Sequence, residues 1–422
     1  MQKMIRWAAL ALPALLLAGC AANPLEALRP AENTATVETA ATPQPQTLNV
    51  YATEALLPAV QAYATAQQVT LNTTDDPAAA DLVVLDHTLG DLVEGVDVTS
   101  DTLLAAAASR AGITESASSL PLGRSLYGYW ANQAMVTSLL GEGGVTALQN
   151  ASWEEWSDFV ETLQAWLEEP SAATVTLNGS DYTLPETKPD SLNATGVFST
   201  PMDRTAGYTA ALLAAGTELT EETLTGPLNG VYSAVTLEWD NLADSDETAL
   251  FRRAKLTDLL SAYGAEACQS LVLIPFKCNL TEEDLSTEEY NLTGLLNYPV
   301  LADVGTVTVR AGTDETAQKA AKSAVLWLYS SGDGEAALTE TLGVITPWNT
   351  ASDATTLGAM QVEQASTGIL PGSSFTQAQA DALIANEVAL QDSEKHTTAE
   401  RNAFTEAALQ ALGVTEADDE TE

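Results

Sequence analysis

Four consecutive apolar residues, Leu82-Val83-Val84-Leu85, leave little freedom in what this chain can build. An alternating run could offer one face to water, but a continuous one has to be covered on both faces, as buried parallel strands are. The residues ahead of it agree. Leu48, Val50 and Tyr51 suit a strand, and Thr53 suits a helix N-cap. Leu56, Leu57, Val60, Tyr63 and Ala64 then mark one helical face, and Val69 to Asn72 suits a second strand before the turn at Asp75-Asp76-Pro77. Strand, helix, strand and buried strand in that order make an α/β lobe. Ligands of open α/β sheets bind beyond the carboxyl ends of strands. That rule nominates Ala52, Thr53 and Glu54 after the first strand, and Asp86 and His87 after the buried one. His87 equally suits a surface turn.

The stretch Leu122 to Leu167 carries the next set of signals. Tyr127, Tyr129 and Trp130 lie on a short extended segment, followed by a glycine-broken connection. Ser152 and Glu155 then form an S-x-x-E capping box, in which each side chain satisfies an orphan backbone donor at a helix start. Trp156, Phe159, Val160, Leu163 and Leu167 recur at helical spacing behind it, and Pro170 ends the helix.

Further along, Thr174 to Leu184 alternates around Asn178-Gly179, the dipeptide preferred in two-residue hairpin turns. Phe198 to Thr200 closes a short strand, and Tyr208 to Ala215 is a small-residue helix. Tyr232 and Trp239 fall in another helical run, as core or as a ligand platform. Ala249 to Gly264 suits a helix, with Arg252, Arg253 and Lys255 either binding an acidic ligand group or pairing with carboxylates. Ser270 to Phe276 and Val304 to Val309 suit strands. Thr313 or Asp314 caps a helix over Thr316 to Tyr329, whose inner face is mostly alanine. Two more helices fit 370 to 412, the second starting near Thr397.

The first 20 residues are a targeting segment: Lys3 and Arg6, an apolar run from Trp7 to Leu17, and the ending Leu17-Ala18-Gly19-Cys20, which resembles the bacterial lipobox. It implies cleavage before Cys20 and acyl chains on its sulfur, hence palmitate-type anchoring to a membrane at the outer cell surface. Residues 21 to 46, rich in Ala, Thr, Pro and Glu, make a disordered tether. The remaining length of a 422-residue chain suits about two domains. Net charge is −42, from 58 acidic against 16 basic residues, and it repels phosphate backbones, so no nucleic acid partner is expected. The excess serves solubility outside the cell, or draws a cationic ligand. Beyond Cys20 only Cys268 and Cys278 remain, and their pairing is open.

The Tyr127 region also resembles a known family. In bacterial extracellular solute-binding proteins of family 1, the sugar-binding lipoprotein type of ABC transporters, a run of the form Y-G-x-x-Y-N precedes apolar residues, a variable loop and a tryptophan-led helix. Tyr127, Gly128 and Asn132 fall on the matching positions and Trp153 on the leading tryptophan. The aromatic before the asparagine, often a sugar contact in the family, is Ala131 here, with Trp130 beside it. Ala254-Lys255 stands where the family has a Gly-Lys-Ala-type turn, which nominates Tyr263, and Ser270 to Phe276 resembles its crossing strand. Val304 to Tyr329 matches its strand and alanine-rich helix, and Gly343 to Trp348 matches its I-x-P turn, placing Trp348 at the cleft. The resemblance runs in order from Thr47 to about Asn349. It implies an α/β, two-lobed, periplasmic-binding-protein-like fold with a ligand cleft between lobes joined by crossing segments. Residues 47–122 with 277–342 would form one lobe and 123–276 with 343–414 the other, and 415–422 an acidic tail.

No catalytic motif emerges: G-x-S-x-G, H-E-x-x-H, G-x-x-x-x-G-K-[ST] and G-x-G-x-x-G do not occur, and neither His87 nor His396 sits in a triad motif. With two histidines no zinc site is expected, and no cofactor either. Glu154 and Glu155, flanked by tryptophans, belong to the start of a capped helix. The expected function is capture of a small solute, an oligosaccharide, for the permease of an ABC importer, by a monomer held to the membrane through its lipid. The ligand candidates are Thr53, Glu54, Asp86, His87, Tyr127, Tyr129, Trp130, Tyr263 and Trp348. A secreted carbohydrate-active hydrolase and a non-transport cell-surface binding or structural lipoprotein are the alternatives, because the abundant carboxylates supply pairs for glycoside hydrolysis.

Overall fold

The structure, a computed structural model, describes residues 47–216, 219–274, 300–348, 370–371, 375–391, 393 and 396–414. The leader with Cys20, the tether, Cys278, the end of the expected crossing strand at Pro275 and Phe276, and the acidic tail lie outside the described residues.

The expected opening forms β1 (Thr47–Ala52), α1 (Leu57–Gln67), β2 (Thr70–Thr73) and β3 (Leu82–Leu85). All four residues of β3 are buried, as the unbroken apolar run demands. The chain continues through β4 (Leu120–Asn132), α2 (Gln133–Leu140), α3 (Trp153–Glu168), the hairpin β5 (Ala173–Leu177) and β6 (Ser180–Leu184), and β7 (Gly196–Phe198). Next come α4 (Tyr208–Ala215), α5 (Glu221–Asp240), β8 (Ala249–Lys255), α6 (Leu256–Cys268) and β9 (Leu271–Ile274). The last described elements are β10 (Val300–Val309), α7 (Glu315–Ser330), β11 (Leu370–Pro371), α8 (Gln377–Val388) and α9 (Thr398–Ala411).

One curled sheet has the order β2-β1-β3-β10-β4-β8-β7, with β11 on β10 and β9 on β4. β1 runs parallel to β2 and β3, whereas β10 is antiparallel to both β3 and β4. Two large apolar cores flank it. In the first, α1 and the alanine face of α7 (Ala320, Ala321, Ala324) cover Leu48, Val50, Leu82 and Val84, the small side chains allowing close packing. In the second, Trp156, Phe159 and Leu163 of α3 pack with Tyr129, Phe198, Phe251 and residues of α5, α8 and α9. β4 passes from one to the other: Leu120 and Leu122 belong to the first core, Tyr129 and Ala131 to the second. Val344, beyond residue 342, packs in the first core.

Local chemistry explains several of these choices. Ser152 Oγ accepts from Glu155 N, and Glu155 Oε2 accepts from Ser152 N, completing the capping box. The same carboxylate accepts from Asn178 N and Gly179 N. Those two residues hold φ of 51° and 71°, the left-handed pair that a two-residue hairpin turn needs. Thr53, expected to cap α1 with its side chain, does not. Its hydroxyl donates to Asp86 instead, and a short 3₁₀ turn over Glu54–Leu56 starts the helix.

The expected helix from Ala249 to Gly264 is a correction. Its first half is the strand β8, antiparallel to β4 and parallel to β7. On a strand Phe251, Arg253 and Lys255 share a face, and both cations turn inward. Arg253 and Lys255 are almost wholly buried and paired with carboxylates, so charge here did not mean solvent.

Candidate functional site

Several strand ends open into one cavity of about 480 Å³. Asp86, His87 and Thr88 follow β3; Pro201 to Ala206 follow β7; Lys255 ends β8, with Asp258 at the start of α6. The central strands contribute Pro121 from β4 and Ala302, Asp303, Gly305 and Thr306 from β10, while Gln377, Ala380 and Ile384 come from α8 and Phe375 lies two residues ahead of it. The walls therefore come from both halves of the sheet: β3 lies in the half that carries the first core, β7 and β8 in the half that carries the second. A smaller cavity of about 210 Å³ shares Asp86, Lys255 and Asp258 and extends along Ala55, Leu56 and Pro58.

The electrostatics centre on Lys255, whose Nζ lies 2.9 Å from Asp203 Oδ2. Asp203 Oδ1 also accepts from the backbone N of Thr205 and Ala206, at 2.8 and 2.9 Å. Burial would raise the Asp203 carboxyl, but Lys255 and these donors outweigh it and hold it low. Burial likewise works against the Lys255 charge, and Asp203 and Asp258 more than offset it, so its pKa is raised. Asp258 is pushed up to about 6 by burial, with Lys255 opposing and Asp203 adding. Asp86 accepts from Thr53 Oγ1 at 3.1 Å and lies 2.8 Å from His87 Nδ1. Burial opposes its charge, but His87 and Lys255 keep it below its usual value. Asp303 pairs with Arg124 at 3.5 Å. Arg204 is half-buried, its guanidinium 5.3 Å from the centre of the Trp239 ring. Among the described residues no three His, Cys, Asp or Glu side chains are placed to hold a metal ion.

A wall of carboxylates, amide and hydroxyls beside Met202, Ile384 and Phe375 can hydrogen-bond a polyhydroxylated solute while covering its C–H faces. No protein-family model matches the chain, and no curated protein matches it. Solved structures do. A Streptococcus pneumoniae solute-binding protein in complex with the blood group A-trisaccharide superposes with a TM-score of 0.55 at 11% identity, over 86% of this chain and 99% of that one. The maltose/maltodextrin-binding domain from Bdellovibrio bacteriovorus, bound to maltotriose, gives 0.51 at 13% identity over 87% and 99%. A family 1 extracellular solute-binding protein from Bifidobacterium longum subsp. infantis gives 0.50 at 11% identity over 87% and 99%. The chain has the two-lobed solute-binding-protein fold.

Within this solute-binding-protein fold the expected site residues separate. Asp86 and His87 line the cavity, and Thr53 reaches it only through Asp86. Glu54 is exposed on the 3₁₀ turn and lines neither cavity. Tyr127, Tyr129 and Trp130 correct the expectation most: all three are sealed in the interior. Tyr127 and Tyr129 point to one side of β4, where Arg253 Nη1 donates to the Tyr127 hydroxyl and Tyr129 donates to Glu238. Trp130 points to the other, its Nε1 donating to Ala254 O. At these positions both faces of β4 are covered by packed layers, so the rings face the interior and not a cleft. Tyr263 is on the surface beside Arg252, and Trp348 packs on Tyr329 and Arg110. Neither lines the cavities. Sequence reasoning missed Asp203, Arg204, Asp258, Asp303 and Gln377. The strand-end rule, applied to the recognised strand at Phe198, would have reached Asp203 and Arg204.

Proposed function

We propose that the protein is an extracellular solute-binding protein that captures a small carbohydrate between its lobes and releases it, unaltered, to the permease of an ABC importer. The observation that carries this reading is a cavity of about 480 Å³ walled by strand ends from both halves of the sheet, over β4 and β10 at its centre. Its size falls within the roughly 300–1,000 Å³ of small-molecule sites. Asp86, Asp303 and Gln377 suit sugar hydroxyls, and Met202, Ile384 and Phe375 suit ring faces. The lobes would follow the division at 47–122 with 277–342 and 123–276 with 343–414, except that Val344 and Trp348 pack with the first lobe, and would hinge about β4 and β10. The relatives in fold that hold a trisaccharide or maltotriose support a saccharide over other solutes. In this reading Cys20 carries the acyl chains that keep the monomer at the outer face of the membrane.

Calorimetric titration of the mature protein against a panel of mono- to trisaccharides, including maltotriose, tests it. One-to-one binding of at least one sugar is expected, weakened tenfold or more by Asp86→Ala. A panel with no binding member would overturn the reading, and turnover of a bound sugar would move it to the hydrolase alternative. Loss of metabolic acyl labelling in Cys20→Ser tests the anchor separately.

A further inference from the structure

The walls of the cavity hold Asp86, Asp203, Asp258 and Asp303 against Lys255 and Arg204, so a count of charges suggests a site for cations. The pairings say otherwise. Asp203 is saturated by Lys255 and two backbone N–H groups, Asp86 gives Oδ1 to His87 and Thr53 and keeps Oδ2 for a solute hydroxyl, and Asp303 pairs with Arg124. Asp258 accepts from Lys255 N and faces the Lys255 charge. Lys255 is in turn taken by Asp203. Arg204 alone is different: it has no hydrogen bond or ion pair with a described residue, in a chain where acidic residues outnumber basic ones 58 to 16. The carboxylates whose charges act on it, Glu387 and Glu238, each pair with Arg253 through one oxygen and make no ion pair with Arg204. Its guanidinium carbon lies 5.3 Å over the Trp239 ring, and its donors, with no partner among the described residues, suit a two-pronged acceptor.

We propose that the solute carries a carboxylate, as an acidic saccharide does, and that Arg204 receives it. This deepens, and rests on, the solute-binding reading above. An arginine fork matches the two oxygens of a carboxylate, and a neutral sugar would leave these donors with weaker partners. The overall charge of −42 does not forbid it. At physiological salt exposed charges are screened beyond about 8 Å, so the guanidinium in contact sets the affinity while the distant carboxylates chiefly slow the approach.

The test is calorimetric titration of matched saccharide pairs that differ only in a carboxylate: galacturonate mono- to trimers against the galactose series, and glucuronosyl-glucose against cellobiose. The wild type should bind an acidic member at least tenfold tighter than its neutral partner, and Arg204→Gln should remove that preference. Arg204→Lys should restore part of it, since an ammonium keeps the charge but loses the fork. Neutral sugars binding as tightly as acidic ones, or a preference that survives in Arg204→Gln, would overturn the assignment of Arg204 and leave the solute-binding reading intact. No binding by either series would take both away. Should Arg204→Gln prove unstable, the wild-type ratio still decides whether the solute is acidic, and a preference unchanged in Arg204→Lys would overturn the assignment to Arg204.

Discussion

Arg253 and Lys255 stand two residues apart on one face of β8, and the molecule treats them differently. Arg253 is enclosed: Nε lies 2.8 Å from Glu238 Oε1 and Nη2 lies 2.8 Å from Glu387 Oε2, with the Tyr127 hydroxyl on Nη1. Its partners come from β4, α5 and α8, so it ties α5 and α8 to the sheet. Lys255 reaches the cavity wall, where it is still paired with Asp203; beside it Arg204 has no hydrogen-bond partner among the described residues and meets a space a solute can enter. A cation with every partner supplied by the protein fixes architecture; a cation whose environment is completed by something else is available for recognition. Two residues along a strand, about 7 Å, carry the chain from the sealed network to the wall of the cavity.

The sharpest way to break this comparison is Arg253→Met. It leaves Glu238 and Glu387 buried without their cation, and removal of one member of such a network costs about 3–5 kcal/mol. Denaturant unfolding should show that loss, while Arg204→Gln should cost no more than about 1 kcal/mol, the scale of its stacking on Trp239. Equal costs would erase the distinction.

Titration probes the same network. Burial pushes Glu387 up to about 7 from 4.5, even though Arg253 and Arg204 oppose this; Glu238 adds to the rise. Tyr208, whose phenol is raised by burial and by Glu387, lies on the same side. A carboxyl with a raised folded-state pKa binds its proton more tightly when folded, so its contribution is full below about 4.5 and is lost as pH rises through about 7. The stability difference between wild type and Glu387→Gln should drift in that direction over this window and level off above it. A flat difference would mean that Glu387 stays ionised throughout.

Tyr129→Phe asks whether the β4 aromatics are core or ligand contacts. It deletes the hydroxyl that donates to Glu238 in a sealed site. Leaving a buried acceptor short of a partner costs about 1–3 kcal/mol, and the solute affinity should not change. Affinity falling more than stability would return Tyr129 to the binding site.

The contrast also explains what the sequence disclosed. β3, the Ser152–Glu155 box, the Asn178-Gly179 turn and the Asp314 cap were legible because each is decided within a few residues. β8 was not: its cations imitate a solvent-facing helix until Glu238, Glu387 and Asp203 arrive from 15, 134 and 52 positions away. The site was half legible. Asp86 and His87 follow an obvious strand, whereas Asp303 and Gln377 reach the cavity only through long-range pairing of β10 and the placement of α8. The aromatics misled because a ring suited to stacking on sugars is equally suited to filling a core, and position in the sheet decides between them.

The smallest effect is expected at a third cation, Arg110, which extends the comparison to the surface. Its Nη2 lies 3.1 Å from Glu335 Oε2, both side chains being about one-third exposed. Its guanidinium lies 4.1 Å from the centre of the Trp348 ring, and Nη1 donates to Tyr329 O. Trp348 packs on Tyr329 with ring centres 5.1 Å apart, and its Nε1 donates to Glu335 Oε1. Glu335→Gln keeps the acceptor oxygen and removes only a solvent-screened charge, so about 0.2–1 kcal/mol is expected, shrinking as salt is added. The same carboxylate loss opposite Arg253 would be far larger, because water cannot reach in to replace it. A Glu335→Gln cost rivalling that of Arg253→Met would show that exposure is not what separates these cations. A change in solute affinity would instead bring Trp348 back to the cleft.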